Sequence, residues 1–141
     1  MVIDVSDDSN MAPVNEPMRQ TKLARESCLE LLRNARYARV VTSIKCLPVA
    51  LPVHIAIVED GRLLLTSNND AITSLASNGD VLAVQIDGLE QDGVTWSVTV
   101  SGIARPAQLE AVIPDALVYE TARGAALLSL PLDFITGIRI E

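Results

Sequence analysis

The sequence predicts a mainly β domain, built from about six or seven mostly antiparallel strands with two short α-helices. Three apolar runs rich in β-branched residues follow one another closely, at residues 37–44, 49–58 and 62–66. Such residues favour strands. The links between the runs are too short for parallel crossovers, so these strands must be antiparallel. Closure into a small barrel would protect the open edges of such a sheet.

The rest of the chain continues the same pattern. Further strands are predicted at residues 80–87, 94–104, 125–130 and 134–140. Amphipathic helices are predicted at residues 23–36 and 71–76. Asp70 is the predicted N-cap of the second helix, and Gly79 is predicted to end it. Residues 107–123 allow only one or two helical turns, which Pro114 interrupts.

The chain is expected to form a single domain, given its length of 141 residues. Residues 1–20 are polar and acidic and lack periodicity, which is typical of a flexible N-terminal arm. The folded domain is therefore expected to span residues 21–141. Its core must consist mainly of aliphatic side chains, because 49% of the residues are hydrophobic and only 3% are aromatic.

The net charge of −7 argues against two classes of partner. Nucleic acids and anionic membrane surfaces are bound mainly through clustered lysine and arginine side chains. The two cysteines, Cys28 and Cys46, are far apart in the sequence, and neither belongs to a cysteine–histidine cluster. No metal site is therefore expected. Two free thiols are typical of a protein in the reducing cytoplasm.

A polar segment separates the third strand from the second helix. It consists of Thr66, Ser67, Asn68 and Asn69. A helix N-terminus presents backbone N–H groups and the positive end of the helix dipole, which together favour a phosphate group. The same pattern is also found in ordinary strand-to-helix connections that bind nothing. Both interpretations remain open at this point.

Three further side chains are candidates for a binding site. His54 is the only histidine, and it faces away from Val53 and Ile55 because side chains alternate along a strand. It can be a proton donor, a cofactor contact or a hydrogen-bonded residue of the sheet. Trp96, the only tryptophan, can stack on a planar ring or pack in the interior. Arg39 is a basic residue on the first long strand.

Several short motifs, taken in order, resemble those of the pyridoxamine 5′-phosphate oxidase-like flavoproteins. They are Ala38-Arg39-Val40, residues 47–53, Asp60-Gly61, Trp96-Ser97-Val98, residues 101–104 and residues 135–140. Each motif alone is common in proteins. Their order and spacing extend the resemblance over residues 23–141, and the nitroimidazole-reductase-like branch of the family is the one we expect.

The resemblance implies an FMN-binding split β-barrel that forms a homodimer, with flavin in clefts between the subunits. It also implies a cytoplasmic flavoprotein with oxidoreductase activity on a small organic substrate. The catalytic residues are not identified by the resemblance. The expected cofactor-binding residues are Arg39, His54, Thr66, Ser67, Asn68, Asn69 and Trp96.

Two departures from the family pattern concern the phosphate of the flavin. Many relatives carry an arginine on the third strand and a lysine at the start of the short helix, where this chain has Leu65 and Ala71. Each lost charge-assisted contact weakens binding by roughly 1.5–3 kcal/mol. FMN binding is therefore expected to be weak or absent. The alternative is a non-catalytic family member that serves as a binding or assembly module.

Overall fold

A computed structural model describes residues 17–58, 61–107 and 113–141. Within these ranges, nine strands form one antiparallel sheet with three α-helices beside it. The strands are β1 (Gln20–Lys22), β2 (Tyr37–Ile44), β3 (Leu47–Val58), β4 (Arg62–Ser67), β5 (Val81–Leu89), β6 (Thr95–Ile103), β7 (Arg105–Pro106), β8 (Ala126–Pro131) and β9 (Phe134–Ile140). The helices are α1 (Arg25–Asn34), α2 (Asp70–Asn78) and α3 (Asp115–Ala122). The predicted mainly β, split-barrel fold is confirmed.

The structure contains two more strands and one more helix than the sequence predicted. Strands β1 and β7 are only three and two residues long, too short to give a periodic signal. Helix α3 begins after Pro114, which occupies its N-cap position instead of interrupting it. Most of the predicted arm at residues 1–20 lies outside the described residues, as do residues 59–60 and 108–112.

The order of strands in the sheet is β1-β9-β6-β5-β2-β3-β4-β8-β7. The predicted antiparallel meander of β2, β3 and β4 is confirmed. The sheet is strongly curved, because the end of β6 also contacts β8, which is five places further along the sheet. At this contact, a Cβ atom on Gly102 would lie 3.3 Å from Pro131 Cγ.

The inner face of the curved sheet holds the main hydrophobic core. Val53 and Ile55 of β3 and Leu63 and Leu65 of β4 all point inward and are buried. Helices α1 and α2 cover this core with further buried residues, namely Cys28, Leu32, Ile72 and Ala76. In the described part of the chain, none of the helices has the length and apolar character needed to span a membrane.

Helix α3 packs on the opposite, outer face of the sheet. Its Leu117 is fully buried against Leu64 of β4 and Leu127 of β8, and the three form a second, smaller apolar cluster. This cluster anchors α3 over one end of the outer face. The last turn of the helix therefore lies beside the row of side chains that β3 and β4 present outward.

Candidate functional site

A cleft of about 460 Å³ lies on the outer face of the sheet, beside α3. Its polar lining consists of His54, Thr66, Ser67, Asn68, Asn69 and Glu120. Pro52 and Ala125 supply its apolar lining, and the cleft is also bordered by Leu51 and Val53, which pack against the core on the inner face. A cleft of this volume, with mixed polar and apolar walls, is typical of sites for small molecules.

Strand register brings the central side chains of the cleft together. His54 of β3 is paired with Thr66 of β4 on one side and with Tyr37 of β2 on the other. Directly opposed residues of antiparallel strands share one face of the sheet, so all three point outward. The ring centroids of Tyr37 and His54 are 4.8 Å apart, with an angle of 55° between the rings.

Glu120 reaches the cleft from the last turn of α3. The helix ends in a Schellman motif, in which Ala125 N donates to Glu120 O at 3.0 Å and Gly124 N donates to Thr121 O at 3.1 Å. Gly124 has φ of +93°, a conformation that glycine adopts without strain. This turn fixes the backbone of Glu120, and its Oε1 lies 3.2 Å from Nδ1 of His54.

Two buried oxygen atoms of the cleft have no hydrogen-bond partner among the described residues. They are Oγ1 of Thr66 and Oε2 of Glu120. Buried polar groups in folded proteins are nearly always hydrogen-bonded. Both atoms are therefore available to pair with water or with a bound molecule.

The polar turn before α2 satisfies most of its own hydrogen bonds. The predicted N-cap Asp70 is wrong: Asn69 is the N-cap, and its Oδ1 accepts from the backbone N–H groups of Ala71 and Ile72 at 3.0 and 3.2 Å. Asn69 N in turn donates to Oγ of Ser67 at 3.1 Å. The prediction that Gly79 ends the helix is confirmed, with φ of +74°.

The structure brings five of the seven predicted site residues into this cleft, namely His54, Thr66, Ser67, Asn68 and Asn69. Arg39 and Trp96 are not in its lining. Arg39 is paired in register with Pro52, a lining residue, but its guanidinium forms an ion pair with Asp87 of β5. Their roles in cofactor binding remain predictions.

Trp96 lies at another position on the sheet. It helps to line a separate cleft of about 440 Å³, together with Leu89 and Ile138. Its indole ring covers Gly88 on the neighbouring strand so closely that a Cβ atom there would overlap it. Glycine at position 88 is therefore what allows the indole to lie flat against β5.

Sequence reasoning missed Glu120 as a lining residue. Its segment was predicted to contain only one or two interrupted helical turns, and a carboxylate on an exposed helix carries no signal of its own. Only the packing of Leu117 on the outer face of the sheet shows that this helix delivers Glu120 to His54. A glycine soon after a helical pattern, such as Gly124, was the one local signal for where the helix ends.

The cleft fits the ring of a flavin better than its phosphate. The apolar walls and the two unpartnered oxygen atoms suit a planar heterocycle that carries polar edges. None of the described lining residues is a lysine or arginine, and Asn69 already occupies two N–H groups of the α2 N-terminus. Leu65 is fully buried in the core and is not among the residues that line the cleft.

Metal binding finds no support in the described ranges. In residues 17–58, 61–107 and 113–141, no three histidine, cysteine, aspartate or glutamate side chains are grouped so that they could hold a metal ion. His54 is accompanied by a single carboxylate, that of Glu120.

Comparison with solved structures identifies proteins of the same fold. A FAD-binding protein from Mesorhizobium loti has a TM-score of 0.69 and 18% identity, and the match covers 89% of this chain and 99% of that one. A FAD-binding protein from Mycobacterium smegmatis has a TM-score of 0.66 and 21% identity, covering 87% and 100%. A candidate 5-nitroimidazole antibiotic resistance protein from Bacteroides thetaiotaomicron has a TM-score of 0.67 and 11% identity, covering 89% and 90%.

Comparison of the sequence with curated proteins found no significant match. Comparison with models of protein families gave a match to pyridoxamine 5′-phosphate oxidase over residues 24–137, most of the chain. The matched region begins just before α1 and extends into β9, so it includes every strand and helix that builds the cleft. This chain therefore belongs to the pyridoxamine 5′-phosphate oxidase family.

Proposed function

We propose that this protein binds a flavin in the cleft beside His54 and acts as an oxidoreductase on a small organic molecule. Membership of the family and the similarity in fold to two FAD-binding proteins support the proposal. The observation that carries it is the cleft, in which apolar walls meet two buried and unpartnered oxygen atoms. When bound, a flavin supplies the redox chemistry, and the protein orients it and limits access of water.

The lining residues divide into two groups by the contacts that they would make. Pro52 and Ala125 offer apolar surface to a planar ring. Thr66 and Glu120 offer hydrogen-bonding atoms to its polar edge, and His54 is paired with Thr66 in register and lies 3.2 Å from Glu120. The imidazole can also hold or move a proton at Nδ1, where it meets the Glu120 carboxylate.

The phosphate of FMN adds little to binding in this proposal. The helix N-terminus that would receive it is capped by Asn69, and the lining residues that the structure describes include no cationic side chain. The affinity for riboflavin, which lacks the phosphate, should therefore be close to that for FMN.

We also propose that two copies of the chain form a symmetric homodimer. Strands β2 and β3 expose large apolar side chains on the same side of the sheet as the cleft, including Tyr37 at 70% exposure. Val41, 37% exposed, lies further along the same face of β2. A second copy of the chain would cover this surface and narrow the cleft. Sedimentation at micromolar concentration should give twice the chain mass of 15.1 kDa, and the monomer mass would contradict the dimer.

Riboflavin titration of a cleft-filling variant tests where the flavin binds. In Ala125→Phe, a large side chain enters the cleft and should abolish the quenching of riboflavin fluorescence that the unmodified protein produces. Ala122→Phe is the matched control, because Ala122 is exposed near the end of α3 and does not line the cleft. Equal riboflavin affinity of both variants would contradict the proposed site.

One observation favours the alternative of a non-catalytic binding or assembly module. The side chain of Glu120 brings a carboxylate into the cleft, and the described lining residues include no lysine or arginine that could pair with a flavin phosphate. In this alternative the purified protein is colourless, and saturating riboflavin, FMN and FAD all leave its absorbance and tryptophan emission unchanged. A yellow protein with flavin absorbance bands would exclude this alternative.

A further inference from the structure

We infer that the cleft selects ligands that donate a nitrogen-bound hydrogen and disfavours anionic groups such as carboxylate and phosphate. The inference names the ligand chemistry of the cleft, and it rests on the proposed function only in using the same site. Its basis is the pair of buried oxygen atoms, one on Glu120 and one on Thr66, that have no hydrogen-bond partner among the described residues.

The Glu120 carboxylate is the stronger of the two determinants. Its Oε1 lies 3.2 Å from Nδ1 of His54, whereas its Oε2 is buried without a partner in the described structure. The side chain is only 19% exposed, so little water can reach it. An ionised carboxylate oxygen can only accept hydrogen bonds, and leaving it unpaired in a buried position is unfavourable. A ligand N–H group is therefore the natural partner of Oε2.

The Thr66 hydroxyl is the second determinant. Thr66 is directly opposite His54 in the β3–β4 pairing, and only 3% of the residue is exposed. A hydroxyl can donate or accept, so it can pair with either an N–H or a carbonyl group of a ligand. Together with Glu120, it matches an amidine, an amide or the N–H edge of a heterocycle.

An anion would meet unfavourable surroundings in the same cleft. Glu120 would repel it, and the described lining residues provide no lysine or arginine to compensate. Ser67 Oγ and Asn69 Oδ1 accept backbone N–H groups. The hydroxyl and amide groups of Ser67, Asn68 and Asn69 can still donate to an anion, but they are neutral and do not offset the charge of Glu120. Among the described lining residues, only the His54 imidazole can carry a positive charge, and it already lies against Glu120.

Three compounds of nearly the same shape provide the test. Benzamidine is a cationic N–H donor, benzamide is a neutral one, and benzoate is an anion that donates nothing. The untagged full-length chain contains a single histidine, so the imidazole signals in an NMR spectrum come from His54 alone. Titration of the ¹³C-labelled protein at pH 7 reports binding through these signals.

Benzamidine should bind at least about tenfold more tightly than benzoate, the change expected from one charge-assisted hydrogen bond. The affinity for benzamide shows whether the preferred ligand is neutral or cationic. If benzamide binds about as tightly as benzamidine, the cleft prefers a neutral heterocycle. If benzamide binds about as weakly as benzoate, the cleft prefers a cationic amine or amidine. Benzoate binding as tightly as benzamidine would overturn the inference. So would a failure of all three compounds to shift the His54 signals.

A charge-removing variant tests the role of the carboxylate. In Glu120→Gln, the preference for benzamidine over benzoate should fall by about tenfold, because the new amide can donate to an anion. Asp115→Asn removes the same charge from an exposed position of α3 outside the cleft and should keep the preference. An unchanged preference in folded Glu120→Gln would overturn the inference. If this variant does not fold, the comparison of the three compounds on the unmodified chain still decides.

The two proposals can fail separately, since none of the three compounds is a flavin. A protein that prefers benzamidine but binds no riboflavin would contradict the proposed flavin site and support this inference. A protein that binds riboflavin but prefers benzoate would support the flavin site and contradict this inference.

Discussion

The two faces of the β3–β4 hairpin differ in how well the environment of each side chain matches its chemistry. On the inner face, Ile55 and Leu65 are paired in register and fully buried in the main core. On the outer face, the next pair, His54 and Thr66, lines a cleft and leaves the Thr66 hydroxyl without a partner in the described residues. Because side chains alternate along a strand, one hairpin builds the stable core and the candidate binding site at the same time.

The difference implies that the buried inner-face pair stabilises the fold, whereas the polar atoms of the cleft that lack a partner in the described residues destabilise it. Apolar burial on the inner face contributes roughly 25 cal/mol per Å². A buried polar atom without a partner costs about 1–3 kcal/mol. Without a ligand, the unpaired oxygen atoms of Glu120 and Thr66 therefore lower the free energy of unfolding. A ligand that forms hydrogen bonds with these atoms can restore it.

The largest expected effect on stability is a difference between substitutions at two adjacent residues of β4, Leu65 and Thr66. Leu65→Ala should lower the free energy of unfolding by about 2–5 kcal/mol, because it leaves a cavity in the core. Thr66→Val should change it by less than about 1 kcal/mol, or raise it, because it removes an unpartnered hydroxyl while keeping the shape. Urea denaturation measures both. Equal losses in the two variants would contradict the distinction between the faces.

A second prediction concerns close packing on the inner face. A Cβ atom on Gly137 of β9 would overlap Sγ of Cys28 on α1. Gly137→Ala should therefore lower the free energy of unfolding by about 1–3 kcal/mol. Adding Cys28→Ala, which shortens the opposing side chain, should reduce this loss. If a double-mutant cycle by urea denaturation gave no coupling, the contact would not determine the packing of α1.

A smaller effect is expected in the polar turn at the edge of the outer cleft. Asn69→Ala removes the N-cap of α2 and should lower the free energy of unfolding by about 1 kcal/mol. Asn69→Asp is the matched control, because its carboxylate can still accept from Ala71 N and Ile72 N. Thermal unfolding of both variants checks the assignment, and an equal loss in both would contradict it.

The smallest effect should come from the ion pair between Arg39 and Asp87. The two side chains are 46% and 49% exposed, so solvent screens their attraction. Arg39→Ala should lower the free energy of unfolding by at most about 0.5 kcal/mol. High salt should reduce even this difference. A loss above about 1.5 kcal/mol in urea denaturation would show that Arg39 has a structural role beyond this pair.

The sequence predicted most of the fold because the long strands carry their own signal. The bounds of β2 and β9 agree with the prediction, since alternation and β-branched residues mark them clearly. Strands β1 and β7 were not predicted, because two or three residues are too few to show an alternation of apolar and polar side chains. Their pairing depends on distant partners, such as β9 for β1.

The candidate site was only partly predictable. Residues 66–69 form a continuous polar segment, and His54 stands out as the only histidine. Nothing in the sequence joined His54 to Glu120, because they are far apart in the chain and meet only through the packing of α3 on the sheet. The N-cap was assigned one residue too late because both Asn69 and Asp70 are good capping residues.

We expect the cleft to bind the polar edge of a flavin ring and to give no specific support to a phosphate. Parallel titrations with riboflavin and FMN, followed by flavin fluorescence and calorimetry, test it most directly. We predict that the dissociation constants of riboflavin and FMN lie within about threefold of each other, which corresponds to a difference in binding free energy of less than about 0.7 kcal/mol. Nanomolar binding of FMN together with thousandfold weaker binding of riboflavin would contradict it.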